Sequence, residues 1–167
     1  MDAIIYTSES GFTKKYAEIL KEKTGLDAYE LKDIRSSPVK QGSSVVYLGW
    51  LMAGGIKGYK KAAKMFDVRA VCAVGMSAPD MQPPETVKKQ NAIGDIPVFY
   101  LQGGFDITKL HGMYKFMMNA MAKSVGKKLE EKAEKTEQEK DMLDMMKNGG
   151  DRVNADNLTE IIEFIKK

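Results

Sequence analysis

Short β-branched runs alternate with stretches of helical spacing along most of this chain, and that alternation leaves few folds open to it. Strands joined through helices pair in parallel, and a parallel sheet has to be covered on both faces. Ala3-Ile4-Ile5-Tyr6 reads as the first strand. A helix is predicted from Phe12, with Phe12, Tyr16, Ile19 and Leu20 on one side and Gly25 as its terminator. Asp27 to Leu31 is a second strand of mixed polarity, as suits a sheet edge. Pro38 and Gly42 leave little room for a helix between Asp33 and Ser44. Ser44 to Gly49 is the clearest central strand, followed by a helix over Ile56 to Phe66 and a buried strand over Arg69 to Gly75. Pro83-Pro84-Glu85-Thr86 opens a short helix, and Pro97 to Leu101 is the fifth strand. Leu158, Ile161, Ile162 and Ile165 share one face of a last helix, which Asn154 or Asp156 can cap and two lysines close.

Between the fifth strand and that last helix lies an extra helical region, roughly Thr108 to Lys147, ended by Asn148-Gly149-Gly150. Its first half places Leu110, Met113, Tyr114, Met117, Met118, Met121 and Val125 at helical spacing. Such a stripe ordinarily packs on its own domain, with Met filling irregular gaps; contact with a substrate or a membrane is the sharper alternative. From Lys127 onward the region is dense in Lys and Glu and is expected to be solvated along most of its length. The chain has 167 residues and no internal repeat, so one domain with a single core is expected, 1–167, carrying a helical insertion at about 104–150.

Composition removes several functions. Hydrophobic residues are 43% and charged residues 29%, an ordinary globular balance. No apolar run approaches the ~20 residues that span a bilayer, and Met1-Asp2-Ala3-Ile4-Ile5-Tyr6 lacks the features of a signal peptide, so a cytoplasmic protein is expected. The net charge of +3 is too mild to argue for nucleic acid, and no basic-aromatic motif accompanies it. Cys72 is the only cysteine and sits in Val71-Cys72-Ala73-Val74, where it reads as a small buried hydrophobe. His111 is the only histidine; with no Cys or second His to share a metal, it is read as structural or superficial, and no metal site is expected.

The chemistry concentrates in Ile4-Ile5-Tyr6-Thr7-Ser8-Glu9-Ser10-Gly11-Phe12-Thr13. A strand runs into hydroxyl residues and one glycine, then directly into a helix. Such a loop can set backbone N–H groups and hydroxyls around a phosphate, where the helix end adds about half a positive charge. Gly11 permits close backbone approach, Ser8, Ser10 and Thr13 offer donors, and Lys14 and Lys15 add long-range attraction. The plainer alternative is a turn whose Ser and Thr only cap the helix. Neither G-x-x-x-x-G-K-[ST] nor G-x-G-x-x-G occurs, so a P-loop and a dinucleotide fingerprint are both unsupported.

The whole run, continued by Ala17 and Leu20, resembles the flavodoxin signature. That resemblance implies a flavodoxin-like three-layer sandwich with a five-stranded parallel sheet of order 2-1-3-4-5. It also implies an FMN whose phosphate lies on Thr7, Ser8, Glu9 (through its amide), Ser10, Gly11, Phe12 and Thr13. The loop after the third strand, Gly49-Trp50-Leu51-Met52-Ala53-Gly54-Gly55, would flank the flavin ring, with Trp50 as a stacking partner. Met76, Ser77, Ala78 and Pro79 would approach its other side, although Met76-Ser77-Ala78-Pro79-Asp80 lacks the Gly-Asp and tyrosine pattern of carrier flavodoxins.

Within that group, Pro83-Pro84-Glu85-Thr86, Phe99-Tyr100-Leu101-Gln102-Gly103-Gly104-Phe105-Asp106, Lys109-Leu110 and the Met-rich stretch resemble the flavodoxin domain of menaquinone-dependent protoporphyrinogen dehydrogenases. The implied function is an FMN-dependent oxidoreductase passing electrons between a small-molecule donor and a quinone-like acceptor. A one-electron carrier docking protein partners is the alternative. Carrier flavodoxins are strongly acidic, whereas this chain is net basic and follows its second flavin loop with Lys57, Lys60, Lys61 and Lys64. No catalytic side chain is singled out, and peripheral membrane contact stays open.

Overall fold

Ile4 and Ile5 are neighbours in sequence, both wholly buried, and belong to two different hydrophobic clusters. Successive side chains of a strand point to opposite faces, so this strand is covered on both sides. The computed structural model describes residues Met1 to Lys167 and extends that pattern to a mostly parallel sheet between two helical layers. The main sheet holds β1 (Ala3–Thr7), β2 (Ala28–Glu30), β3 (Ser44–Met52), β4 (Gly55–Ile56), β5 (Asp67–Gly75) and β6 (Val98–Gln102). Its parallel part runs β2-β1-β3-β5-β6, which leaves the short, mixed-polarity β2 at an edge.

The strand count and order differ from the expected five in the order 2-1-3-4-5. The fourth strand along the chain is β4, an arm paired antiparallel with the end of β3. A separate antiparallel ribbon joins β7 (Gly104–Phe105) to β8 (Gly150–Asp151). The arm arises because β3 continues past Gly49 to Met52 and turns through Ala53 and Gly54, at φ 49° and 79°. Two successive positive φ values make a type I′ turn, whose twist matches that of the paired strands. The stretch expected to be a loop is therefore a hairpin.

The helices are α1 (Phe12–Thr24), α2 (Tyr59–Met65), α3 (Pro84–Gln90), α4 (Gly112–Glu131), α5 (Glu137–Asn148) and α6 (Thr159–Lys166). On one face Tyr16, Ala17 and Leu20 of α1, with Leu158 and Ile161, bury Ile4, Val46, Leu48, Cys72 and Leu101. On the other, Tyr59, Ala62 and Val87 from α2 and α3 bury Ile5, Val45, Tyr47 and Val71. Each large aliphatic side chain removed from water in this way stabilises by roughly 1.5–3 kcal/mol. Gly25 ends α1 in the left-handed conformation and donates its N–H to the Lys21 carbonyl. The helix expected from Ile56 begins only at Tyr59, because Gly55 and Ile56 belong to β4. A 3-10 turn over Ala155–Leu158, capped by the Asn154 side chain, precedes α6.

The insertion is two helices rather than one. Thr136 restarts it with a capping box: its hydroxyl accepts from the Glu139 N–H at 3.2 Å, and the Glu139 carboxylate accepts from the Thr136 N–H at 2.9 Å. Phe105, Leu110, Met118 and Met145 form a small core of their own beneath α4 and α5. Met145 lies in the half expected to be solvated, yet it is wholly buried. No helix is long and apolar enough to cross a membrane.

Candidate functional site

Register sets the loops after the parallel strands side by side. Thr7 of β1 is opposite Gly49 of β3, Trp50 of β3 is opposite Val74 of β5, and Gly75 of β5 is opposite Gln102 of β6. In an open parallel sheet, ligands bind at this carboxyl edge.

The β1–α1 loop leaves the first two N–H groups of a helix without a side-chain cap. Gly11 stands at its N-cap with φ 94°, a left-handed conformation suited to glycine, and no protein atom lies within 4 Å of where a Cβ would project. No side chain caps the first residue of α1, and its first turn carries no acidic residue to offset the helix dipole. The Ser8 hydroxyl accepts from the Lys14 N–H at 3.3 Å, and the Lys15 N–H donates to the Gly11 carbonyl at 3.0 Å. The N–H groups of Phe12 and Thr13 have no partner in the helix, as in any first turn.

Thr13 is only 2% exposed, and its hydroxyl makes no hydrogen bond within the protein. Every fully buried side-chain nitrogen or oxygen does have a partner, so the little surface Thr13 keeps includes that hydroxyl. That hydroxyl and the two free N–H groups beside it can each donate to a group outside the chain. Ser10 is half-buried and Glu9 exposed, and neither side chain makes a hydrogen bond.

Thr7 has a different task. The buried Tyr47 hydroxyl donates to the Lys57 carbonyl at 2.5 Å and is hydrogen-bonded to the Thr7 hydroxyl at 2.7 Å. Burial holds the Tyr47 phenol above its ordinary pKa. Gly58, at φ 81°, passes so close that a Cβ there would strike both hydroxyls. Thr7 thus ties the end of β1 to the segment leading into α2.

The second loop divides at Trp50. Trp50 is half-buried and meets Tyr114 of α4 edge-on, with ring centroids 5.3 Å apart and planes at 83°. The Lys57 ammonium lies 5.8 Å from the Trp50 ring and 5.2 Å from the Tyr114 ring, so the cluster is two aromatic faces sharing one cation. Leu51 and Met52 belong to the hairpin, and its Ala53-Gly54 tip is held from the α3 side. The buried Asn91 side chain accepts from the Ile56 N–H at 2.7 Å and donates to the Gly54 and Val87 carbonyls, each at 2.8 Å.

The third loop is fixed from β6. Tyr100 donates its hydroxyl to the Ser77 carbonyl at 2.7 Å, and the Gln102 side chain reaches the Met76 carbonyl at 3.4 Å. Met76 packs on the core beneath the insertion. Ala78 and Pro79 enter a 3-10 turn over Pro79–Met81, and Gln138 of α5 donates to Asp80 beside it at 3.0 Å.

The insertion also borders the first loop. Phe12 is buried between the Lys15 and Lys109 ammonium groups, 5.7 and 5.6 Å from its ring. Lys15 is paired with Asp151 of β8. Burial pushes the Asp151 carboxyl upward, but bonds from Lys15 and the Val153 N–H outweigh it and leave the group below its ordinary pKa.

The structure therefore brings Ser8 to Thr13, Gly49, Trp50 and Met76 to Ala78 to one edge of the sheet, whereas Met52 to Gly54 are held by α3. Tyr114, Asn91 and Tyr47 were not anticipated. Tyr114 did stand in the helical stripe, but nothing in its spacing points to Trp50; an Asn after a helix is unremarkable, and Tyr47 reads simply as strand. Cys72 is wholly buried, which pushes its thiol pKa up and keeps it unreactive. His111 is an exposed residue at the start of α4 and caps nothing with its side chain. In comparison with known proteins, the chain matches no family model, no curated protein and no solved structure.

Proposed function

We propose that this chain is a flavodoxin-like, FMN-binding oxidoreductase domain whose β1–α1 loop receives the terminal phosphate. The observation that carries this reading is the set of donors at the start of α1: an accessible Thr13 hydroxyl with no partner in the chain, free N–H groups on Phe12 and Thr13, and open space at Gly11. These are the donors a compact dianion needs, and the helix dipole adds to their pull. Ser10 supplies a further hydroxyl. The Ser8 hydroxyl already accepts from Lys14 and can still donate outward, since one oxygen does both.

The residues present fit the remainder of such a ligand. Trp50 and Tyr114 offer aromatic surface beside the carboxyl edge, Lys57 sets a positive charge next to them, and Met76 with Ala78 lines the opposite loop. FMN supplies hydride or single-electron chemistry, while the protein holds it and controls access. A quinone-like acceptor and a small-molecule donor are the redox partners favoured here, because the net charge of +3 does not suit a carrier steered by acidic surface.

Titration of free FMN with the protein tests this, read as quenching of flavin fluorescence. The expected result is a dissociation constant of order micromolar or tighter, about −8 kcal/mol, with FAD weaker. Failure to bind FMN in that range, or a preference for FAD, would overturn the reading.

A further inference from the structure

The first turns of α4 leave three large apolar side chains in water. Met113 is 73% exposed, Phe116 75% and Met117 41%, at positions i, i+3 and i+4 of one face. The opposite face of the helix is already used, by Tyr114 against Trp50 and by Met118 in the small core. The exposed strip has no partner within the chain.

Charge around the strip has one sign. From Ile107 to Leu129 the sequence holds Lys109, Lys115, Lys123, Lys127 and Lys128 and no carboxylate. Lys109 is paired with Asp106 at 3.1 Å, and Lys127 lies 3.8 Å from Glu131. Lys115, Lys123 and Lys128 make no ion pair. Lys123 and Lys127 fall seven and eleven residues after Phe116, so they extend the same side of the helix beyond its apolar start. A helix that presents Phe and Met flanked by lysines has the make-up of one lying in a membrane interface.

We propose that α4 docks this strip, Met113, Phe116 and Met117, onto an anionic lipid surface, with Lys123, Lys127 and Lys128 against the headgroups. Charge decides the occupant. A second copy meeting this face symmetrically would set lysine against lysine, whereas an anionic bilayer supplies the opposite charge together with an apolar layer. The inference stands on exposure and charge alone and does not rest on the FMN reading.

Co-sedimentation of the full chain with phosphatidylcholine vesicles, with and without about one-third phosphatidylglycerol, tests it. Binding is expected with the anionic vesicles only and should weaken as salt rises. A Phe116→Ser, Met117→Ser variant should lose at least about tenfold in partition coefficient, and each of Lys123→Gln, Lys127→Gln and Lys128→Gln about fivefold. All these side chains are exposed, so circular dichroism should stay unchanged and a lost interaction cannot be put down to unfolding. No binding to anionic vesicles at low salt overturns the proposal. So does binding that the Phe116/Met117 variant retains, or a concentration-dependent dimer abolished by that variant in the absence of any vesicle binding.

Discussion

At the scale of single residues, polar side chains in this protein are placed by what they would otherwise leave unpaired. Asn91 is the clearest case: 8% exposed, it satisfies the Ile56 N–H and the Gly54 and Val87 carbonyls with one amide. Those bonds hold a hairpin whose first turn residue, Ala53, occupies a conformation costing non-glycine residues about 1–2 kcal/mol. Replacing Asn91 by Ala strands the Ile56 N–H and the Gly54 carbonyl, whereas the Val87 carbonyl keeps the backbone N–H of residue 91. Asn91→Ala should lower stability by about 2–3 kcal/mol, measured by urea denaturation. A loss under 0.5 kcal/mol would show that the arm holds itself. Thr13 is the opposite case, a nearly buried residue whose hydroxyl the chain leaves without a partner. That hydroxyl keeps some surface, so it can donate to a group outside the chain.

Among the elements, those with a signal at both ends were legible in the sequence. α1 runs from Phe12 to Thr24 as expected, because a glycine loop opens it and Gly25 closes it. β1, β5 and β6 were found within about two residues, since buried β-branched runs have few other uses. β4 was invisible: two residues carry no periodicity, and the Ala at the first turn position is not the Asn, Asp or Gly that marks a type I′ hairpin. The division of the insertion was readable after the fact from Thr136 and Glu139, but the surrounding lysines and glutamates masked it. Burial of Met145 was not readable, because it depends on Phe105 and Leu110 reaching it from a distant part of the chain. The β1–α1 turn is local and could be read locally. The Trp50–Tyr114 contact joins two such distant segments and could not.

For the whole molecule, the two-sided core makes stability depend on alkaline pH. Tyr47 and Cys72 are wholly buried, and burial raises both pKa values above those of an unfolded chain. Below about pH 8.5 for the thiol and about pH 10 for the phenol, both states keep the proton and the full contribution is present. Above those values the unfolded chain releases protons that the native state retains, so stability falls, by up to about 1.4 kcal/mol per pH unit for each group. Urea midpoints should therefore decline steadily between pH 9 and 11. Tyr47→Phe should cost about 1 kcal/mol at neutral pH, through its lost hydrogen bonds, and should make the decline above about pH 10 shallower. An unchanged slope in Tyr47→Phe would place the alkaline sensitivity elsewhere.

The same architecture sets the carboxyl ends of the parallel strands and the start of α1 at one edge of the sheet, and the claim that a flavin phosphate belongs there is open to a direct measurement. Dissociation constants for FMN and for riboflavin, which lacks the phosphate, are compared by fluorescence quenching in the wild type and in Thr13→Val. Val keeps the shape of Thr13 and removes only its hydroxyl, and a hydrogen bond to a charged group is worth about 1.5–3 kcal/mol. FMN should weaken by about one to two decades while riboflavin stays unchanged. Equal changes for the two ligands, or none for either, would contradict a phosphate at the start of α1.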